Sequence, residues 1–232
     1  MKTIGKIAAL AMTLAMALAL TACGGSGSSS SAASSASASA SSASASASSS
    51  ASSEFEIGKA EADTYTNEFF GVQFVLPEGY EFKDDAFLAD LNKSVGETIN
   101  DEAVTKALEN GTAFFDMAAI GPENDNVNVV IEYAGTPAAK AIDAATYVEY
   151  AKDPIAKQLE GSGATVSNIE VTTFKNAAGD EFPALKLQLE MNGAQLNEEV
   201  LVLKSGDYFM SITATASAEA NLEKMLNNIS LL

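Results

Sequence analysis

Residues 182–215 read FPALKLQLEMNGAQLNEEVLVLKSGDYFMSITAT, and their punctuation decides the architecture. Leu185, Leu187, Leu189 and Met191 alternate with Lys186, Gln188 and Glu190, the period of a strand with one face in a core. Asn192-Gly193 follows at once, a dipeptide that supplies the positive φ angles of a tight hairpin. A second strand over 194–204 then meets Ser205-Gly206-Asp207, another turn cluster. A third runs from Tyr208 to Thr215, with Tyr208, Met210, Ile212 and Ala214 on one face. Consecutive strands joined by tight turns are antiparallel.

Working outward, residues 164–174 supply a strand before this group, and 112–120 and 126–133 supply two more. In the last of these Val127, Val129, Ile131 and Tyr133 alternate with Asn128, Val130 and Glu132, and Gly121-Pro122-Glu123-Asn124-Asp125 makes the connection. Asp143 caps a helix over 144–160 whose stripe is Tyr147, Val148, Ala151, Ile155 and Leu159, with Pro154 inside it. Helical spacing also marks 87–109, interrupted at Gly96, and 219–229 at the end, where Leu222, Met225, Leu226 and Ile229 face the core. Phe69 to Pro77 reads as a strand ended by proline, with Glu78-Gly79 as a turn and Tyr80-Glu81-Phe82 as a short return strand. The helices are too apolar on one stripe to stand free, so they cover the sheet. The expected fold is α+β, a mainly antiparallel sheet flanked by helices.

The opening stretch FFGVQFVLPEGYEF, residues 69–82, resembles the start of the Mog1/PsbP-like superfamily. The helix near AATYVEYAKD, the mid-chain strand pair and the four closing strands before a terminal helix follow the same order. The resemblance covers roughly residues 65–231 and implies an α/β/α sandwich that acts as a binding or assembly module. It carries no catalytic motif over to this chain.

The N-terminus has a different character. Met1 to Lys6 is basic, residues 7–20 are apolar except for Thr13, and 14 such residues fall short of the ~18 needed to span a membrane. This is the pattern of a secretory signal peptide, residues 1–22. Leu20-Thr21-Ala22-Cys23 resembles the lipobox of bacterial lipoproteins, which implies a lipid on the Cys23 thiol and cleavage before it. Cys23 is the single cysteine of the 232 residues, so no internal disulfide competes for it. Residues 24–53 hold 18 Ser, 9 Ala and 3 Gly, with no charge and no branched or aromatic side chain. Such a segment cannot offset its ordering entropy. It reads as a flexible linker with an r.m.s. span of roughly 30 Å and a full extension of about 100 Å. Residues 54–232 are then one globular domain, held together by its core alone.

Charge and residue types narrow the function. The chain carries 31 acidic and 13 basic residues, a formal charge of −18, and has neither arginine nor histidine. Loss of residues 1–22 removes Lys2 and Lys6 and leaves 11 lysines against 31 acids, a charge of −20. Nucleic-acid binding needs cations to displace counterions from phosphate, so it is not expected. The expected membrane contact is the lipid at Cys23 alone. Without histidine there is no Ser-His-Asp or Cys-His arrangement, and the sequence has neither a Walker loop nor GxGxxG. No cofactor and no metal site are expected. Asp84-Asp85 and Glu198-Glu199 are the neighbouring acids a carboxylate hydrolase could use, but Glu198 and Glu199 point to opposite faces if they lie on a strand. Asn124-Asp125-Asn126-Val127-Asn128 places oxygens in a turn, as a calcium loop would, yet lacks the glycine and distal glutamate of an EF-hand. Phe69, Phe70, Phe114, Phe115, Tyr133, Tyr208 and Phe209 are core if both sheet faces are covered, and a partner site if one is bare. The sequence therefore points to a non-enzymatic, lipid-anchored protein on the outer face of a bacterial membrane that binds another protein or an envelope component. A small-ligand or calcium-binding lipoprotein is the alternative, and a carboxylate hydrolase the third.

Overall fold

A computed structural model of the chain describes residues 55–98 and 113–232. Residues 1–54, with the expected signal peptide, Cys23 and the expected linker, lie outside the described residues, as does the helical pattern over 99–109. Among the described residues the strands are β1 (Lys59–Glu61), β2 (Thr64–Asn67), β3 (Val72–Val75), β4 (Glu81–Phe82), β5 (Ala113–Ile120), β6 (Asn126–Tyr133), β7 (Thr165–Lys175), β8 (Glu181–Met191), β9 (Ala194–Ser205), β10 (Tyr208–Ala216) and β11 (Ile229–Leu231). The helices are α1 (Asp85–Thr98), α2 (Pro137–Ala141), α3 (Ala144–Gly161) and α4 (Glu219–Leu226).

Residues 182–215 lie in a seven-stranded sheet of order β4-β5-β6-β10-β9-β8-β7. Its pairs are antiparallel, with Met191 opposite Ala194 across the Asn192-Gly193 turn, and Tyr208 opposite Ser205 across the next. Asn192 and Gly193 take φ of +53° and +81°, the left-handed pair that a two-residue hairpin turn demands. The fold is α+β, and each face of this sheet carries a helix. One face packs Leu185, Leu187, Leu189, Val200, Val202 and Phe209 under α3, through Tyr147, Val148, Ala151, Ile155 and Leu159. On the other, Val129, Ile131, Leu201, Met210 and Ile212 meet Leu222, Met225 and Leu226 of α4.

A second sheet shares that other face, and sequence patterning did not reveal it. It has four strands in the order β1-β2-β3-β11. Its strands are three or four residues long, too short for a period to show. The opening stretch is accordingly rearranged. Phe69 and Phe70 lie in a turn before β3 rather than in a strand, with Gly71 at φ +64°. The return strand β4 crosses to pair with β5, not with its predecessor, because the turn at Pro77 to Gly79 sends the chain into the large sheet. The terminal helix stops at Leu226, short of the expected Ile229. Asn227 caps it, Asn228 donates its Nδ2 to the Val75 carbonyl at 3.0 Å, and Ile229 enters the core from β11 instead. The start of α3 follows its signal. Asp143 accepts from the Thr146 amide at 2.8 Å and opens the helix, which continues through Pro154.

Candidate functional site

On its α3-side face the large sheet is not uniformly apolar. Asn126 and Asn128 on β6, Ser211, Thr213 and Thr215 on β10, and Glu198 on β9 alternate with the core residues of the opposite face. The register aligns them: Asn126 is opposite Thr215 and Thr215 opposite Glu198, while Asn128 is opposite Thr213. Every one of the six is 3% exposed or less. They form a contiguous polar band across three adjacent strands. Apolar residues bound it: Ala118 and Phe115 pair with Asn128 and Val130 on the β5 side, and Leu185 and Leu187 pair with Val200 and Glu198 on the β8 side.

Part of the band satisfies itself. Thr215 Oγ1 donates to Glu198 Oε2 at 2.9 Å, and Asn126 Nδ2 reaches the Asn124 carbonyl at 3.5 Å. Asn128 does not: neither its Nδ2 nor its Oδ1 has a partner, and the same holds for Asn126 Oδ1. A buried polar atom left unpaired costs about 1–3 kcal/mol. A protein made only to be stable would replace Asn128 with leucine, as β8 does at the neighbouring rungs.

At the far end of the same face stands a second polar group. Glu132 is 6% exposed and accepts a 2.5 Å hydrogen bond from the Tyr147 hydroxyl on α3. Burial pushes its carboxyl up to about 8, against the opposing pull of that hydrogen bond. Tyr147 is raised well above its ordinary value, by burial first and the Glu132 charge second. The Tyr147 ring stacks on Phe209 at 4.3 Å, and Lys204 lies over the Phe209 ring at 5.4 Å while donating to the Lys140 and Ile142 carbonyls. Lys140 in turn binds Asp207 at 2.5 Å and Tyr133 at 2.9 Å. The lysines here are thus committed to loop ends.

The residues singled out from sequence do not converge on one place. Cys23 lies outside the described residues. Asp84 is a helix cap, accepting from the Phe87 amide at 2.8 Å, and Asp85 opens α1. Glu198 and Glu199 do point to opposite faces. Glu199 faces Lys186, Glu219 and Glu223, and burial raises its carboxyl to about 7. Glu132 and Glu198 share a face but sit at rungs six residues apart, about 20 Å along the strands. A glycosidase pair needs carboxyls within about 10 Å. The turn at 124–128 disperses its oxygens. Asp125 accepts from Asn221 at 2.6 Å, Tyr80 at 3.4 Å and the Ser217 amide at 3.3 Å, while Asn126 and Asn128 turn to the other side of the sheet. Among the described residues no three His, Cys, Asp or Glu side chains are grouped to hold a metal ion.

The aromatic residues divide between the two cores. Phe209 packs under α3 and Phe115 lies on the same side of the sheet beside α1, its amide donating to Asn92, whereas Phe114, Tyr133 and Tyr208 face the other way and close on Phe69, Phe70 and Phe55. Phe55 stacks flat on Tyr208 at 4.3 Å and meets Phe69 and Phe114 edge-on. These rings are engaged with one another.

No family model matches the chain, and no curated protein does. Solved structures are similar to it. The solution structure of cyanobacterial PsbP (CyanoP) from Synechocystis sp. PCC 6803 is 11% identical, over 73% of this chain and 91% of that one, with a TM-score of 0.42. A crystal structure of a protein from Bacteroides thetaiotaomicron VPI-5482 is 8% identical, over 73% of this chain and 48% of that one, with a TM-score of 0.36.

Sequence reading singled out Asn126 and Asn128 as part of an oxygen-rich turn and Glu198 as one of a pair of acids, and did not single out Ser211, Thr213 or Thr215. The usable signal was that β6 and β10 are central strands with covered faces. A central strand that alternates apolar with amide and hydroxyl residues buries the latter.

Proposed function

We propose that this chain is a lipid-anchored extracytoplasmic binding protein without catalytic activity, whose folded body holds a small polar ligand at Asn126 and Asn128 on β6. The observation that carries the reading is Asn128, a whole carboxamide at 1% exposure with neither atom partnered. The signal peptide pattern, the Leu-Thr-Ala-Cys stretch and the Ser/Ala run support anchoring at Cys23 on the outer face of the membrane. The absence of histidine and arginine from the chain, and the wide spacing of Glu132 and Glu198, support binding over catalysis. A small ligand is favoured over a protein or envelope partner because the aromatic side chains that would greet a partner pack on each other.

The test compares the mature chain with its Asn128→Leu variant, both purified from membranes of the source cell. The native protein is expected to release a small molecule in near-stoichiometric amount on denaturation, read by mass spectrometry, and the variant to release none. Equal release from both, or from neither, would overturn the reading.

A further inference from the structure

We infer that the outer edge of β7, over residues 169–175, docks an extended basic segment of a partner protein as an eighth strand of the large sheet. This surface is separate from Asn126 and Asn128 and stands independently of the ligand reading above. Among the described residues the two sheets end in four edge strands, β4 and β7 in the large sheet and β1 and β11 in the small one. Three of them are blunted. β4 is two residues long and β1 three. β11 has three residues, and the turn after β7 takes its backbone: Asn176 Nδ2 donates to the Ile229 carbonyl at 2.6 Å, and the Leu231 amide donates to Asp180 Oδ2 at 3.1 Å. Short or covered edges are how proteins avoid unwanted strand pairing.

β7 is the exception. It runs eleven residues, about 36 Å. Seven of them are Thr, Val, Ile or Phe, which suit a strand, and it contains no proline. A bulge between Val166 and Asn168 bends its first part. Beyond the bulge, residues 169–175 pair rung for rung with residues 187–181 of β8. In such a stretch alternate residues turn both N–H and C=O away from their neighbour, and these are the groups an added strand pairs with. Recognition through the main chain needs no exposed aromatic ring.

A groove lies beside this regular stretch and not beside the bulge. It has a volume of about 420 Å³ and lies between Thr146 and Glu149 of α3 and Val171, Thr173 and Pro183 of the sheet. It gives room to side chains that a docked strand would point towards α3. Charge then selects the occupant. Glu149 stands exposed on the α3 side of the edge. Glu170 is exposed on the other side, because it alternates with Ile169 and Val171, which pack towards α3. Lys186, opposite Glu170 on β8, is held by Glu219 at 2.7 Å, and Lys175, the single cation in the sequence of β7, is held by Glu181 at 3.1 Å. Consecutive residues of a strand point to opposite faces, so two adjacent lysines or arginines on the docked segment reach Glu149 and Glu170 together. A second copy of this chain is the poorer occupant, because it brings a further formal charge of −18 to an edge that is already acidic.

The experiment adds two capped nine-residue peptides to the native protein at low salt. Both alternate valine and threonine; one carries two adjacent lysines at its centre and the other two glutamates. Binding is read by fluorescence anisotropy, and its place by amide hydrogen exchange. The lysine peptide is expected to slow exchange over residues 169–175 and to bind about fivefold or more tightly than its twin. The double variant Glu149→Lys, Glu170→Lys alters only exposed positions, and it is expected to reverse that preference. Equal binding of the two peptides, no binding, or slowed exchange only elsewhere would overturn the inference. Self-association of the free protein through the same residues, seen by sedimentation, would give the edge to a second copy and overturn the partner. Protection of every amide over 169–175 in the free monomer would mean that the chain fills its own edge, which also overturns it.

Discussion

At the scale of single residues the α3-side face of the large sheet trades stability for polar groups, and Glu132 shows the sign of the trade. Its carboxyl titrates near 8 when folded and near 4.5 when unfolded, because burial disfavours the charged form. A raised carboxyl binds its proton in the folded state over that interval, so its contribution is fully present below pH 4.5 and is lost as pH rises towards 8. Glu199, raised to about 7 by burial, adds a second loss over part of the same window. Glu132→Gln keeps an acceptor for the Tyr147 hydroxyl and carries no titration. We expect its unfolding free energy, measured in urea, to change less than the native one between about pH 5 and pH 8, the difference being on the order of 3 kcal/mol. Identical pH profiles for the two proteins would refute the assignment. Sequence made Glu132 visible only as the outward partner of Ile131. Its burial depends on Tyr147 arriving from a helix that begins at Ala144, and no local pattern encodes that meeting.

At the scale of elements, legibility followed length. β6, β8, β9 and β10 run 8 to 12 residues and repeat their period several times, so their bounds could be read directly, whereas the pairing of β6 with the distant β10 could not. The small sheet could not be read, because its short strands are fixed by partners rather than by a repeated period. β11 is the clearest case: Ile229 is fully buried, pairs with Phe74, and its carbonyl takes Asn176 Nδ2 at 2.6 Å. Ile229→Ala should cost about 2–5 kcal/mol in a chemical denaturation experiment. A cost near zero would mean that β11 is not part of the folded body. In α3 the sequence warned of a kink at Pro154, yet the helix spans Ala144–Gly161. Proline there removes the donor to the Tyr150 carbonyl, and Tyr150 is exposed, so water can serve that acceptor. Pro154→Ala restores the bond but loosens the unfolded chain by about 0.4–1 kcal/mol. The net expectation is a gain of about 1–2 kcal/mol, read as a higher thermal midpoint, and a lower midpoint would show that the proline fits its site without loss.

At the scale of the whole molecule, the proposed tether would join the folded body at Phe55. The described body begins with this ring lying flat on Tyr208, and the Gly58 amide then donates to Asp116 at 2.9 Å. A proposed tether joined there would pull on a packed aromatic cluster rather than on a loose end. The charge of the chain beyond residue 22, 31 acids against 11 lysines, disfavours contact with anionic lipid. Among the described residues no helix is long and apolar enough to cross a membrane. The proposed anchoring therefore depends on one atom, the Cys23 thiol. Two or more acyl chains hold a protein stably on a bilayer where a single chain does so marginally. The native protein should then partition into the detergent phase of a Triton X-114 extract of the source cell, and Cys23→Ser should not. Because serine leaves residues 54–232 untouched, the thermal midpoint of the folded body should be the same in both. A serine variant that still enters the detergent phase would transfer the membrane contact from the lipid to the folded domain, and would sink the proposal that the acidic body stands clear of the bilayer.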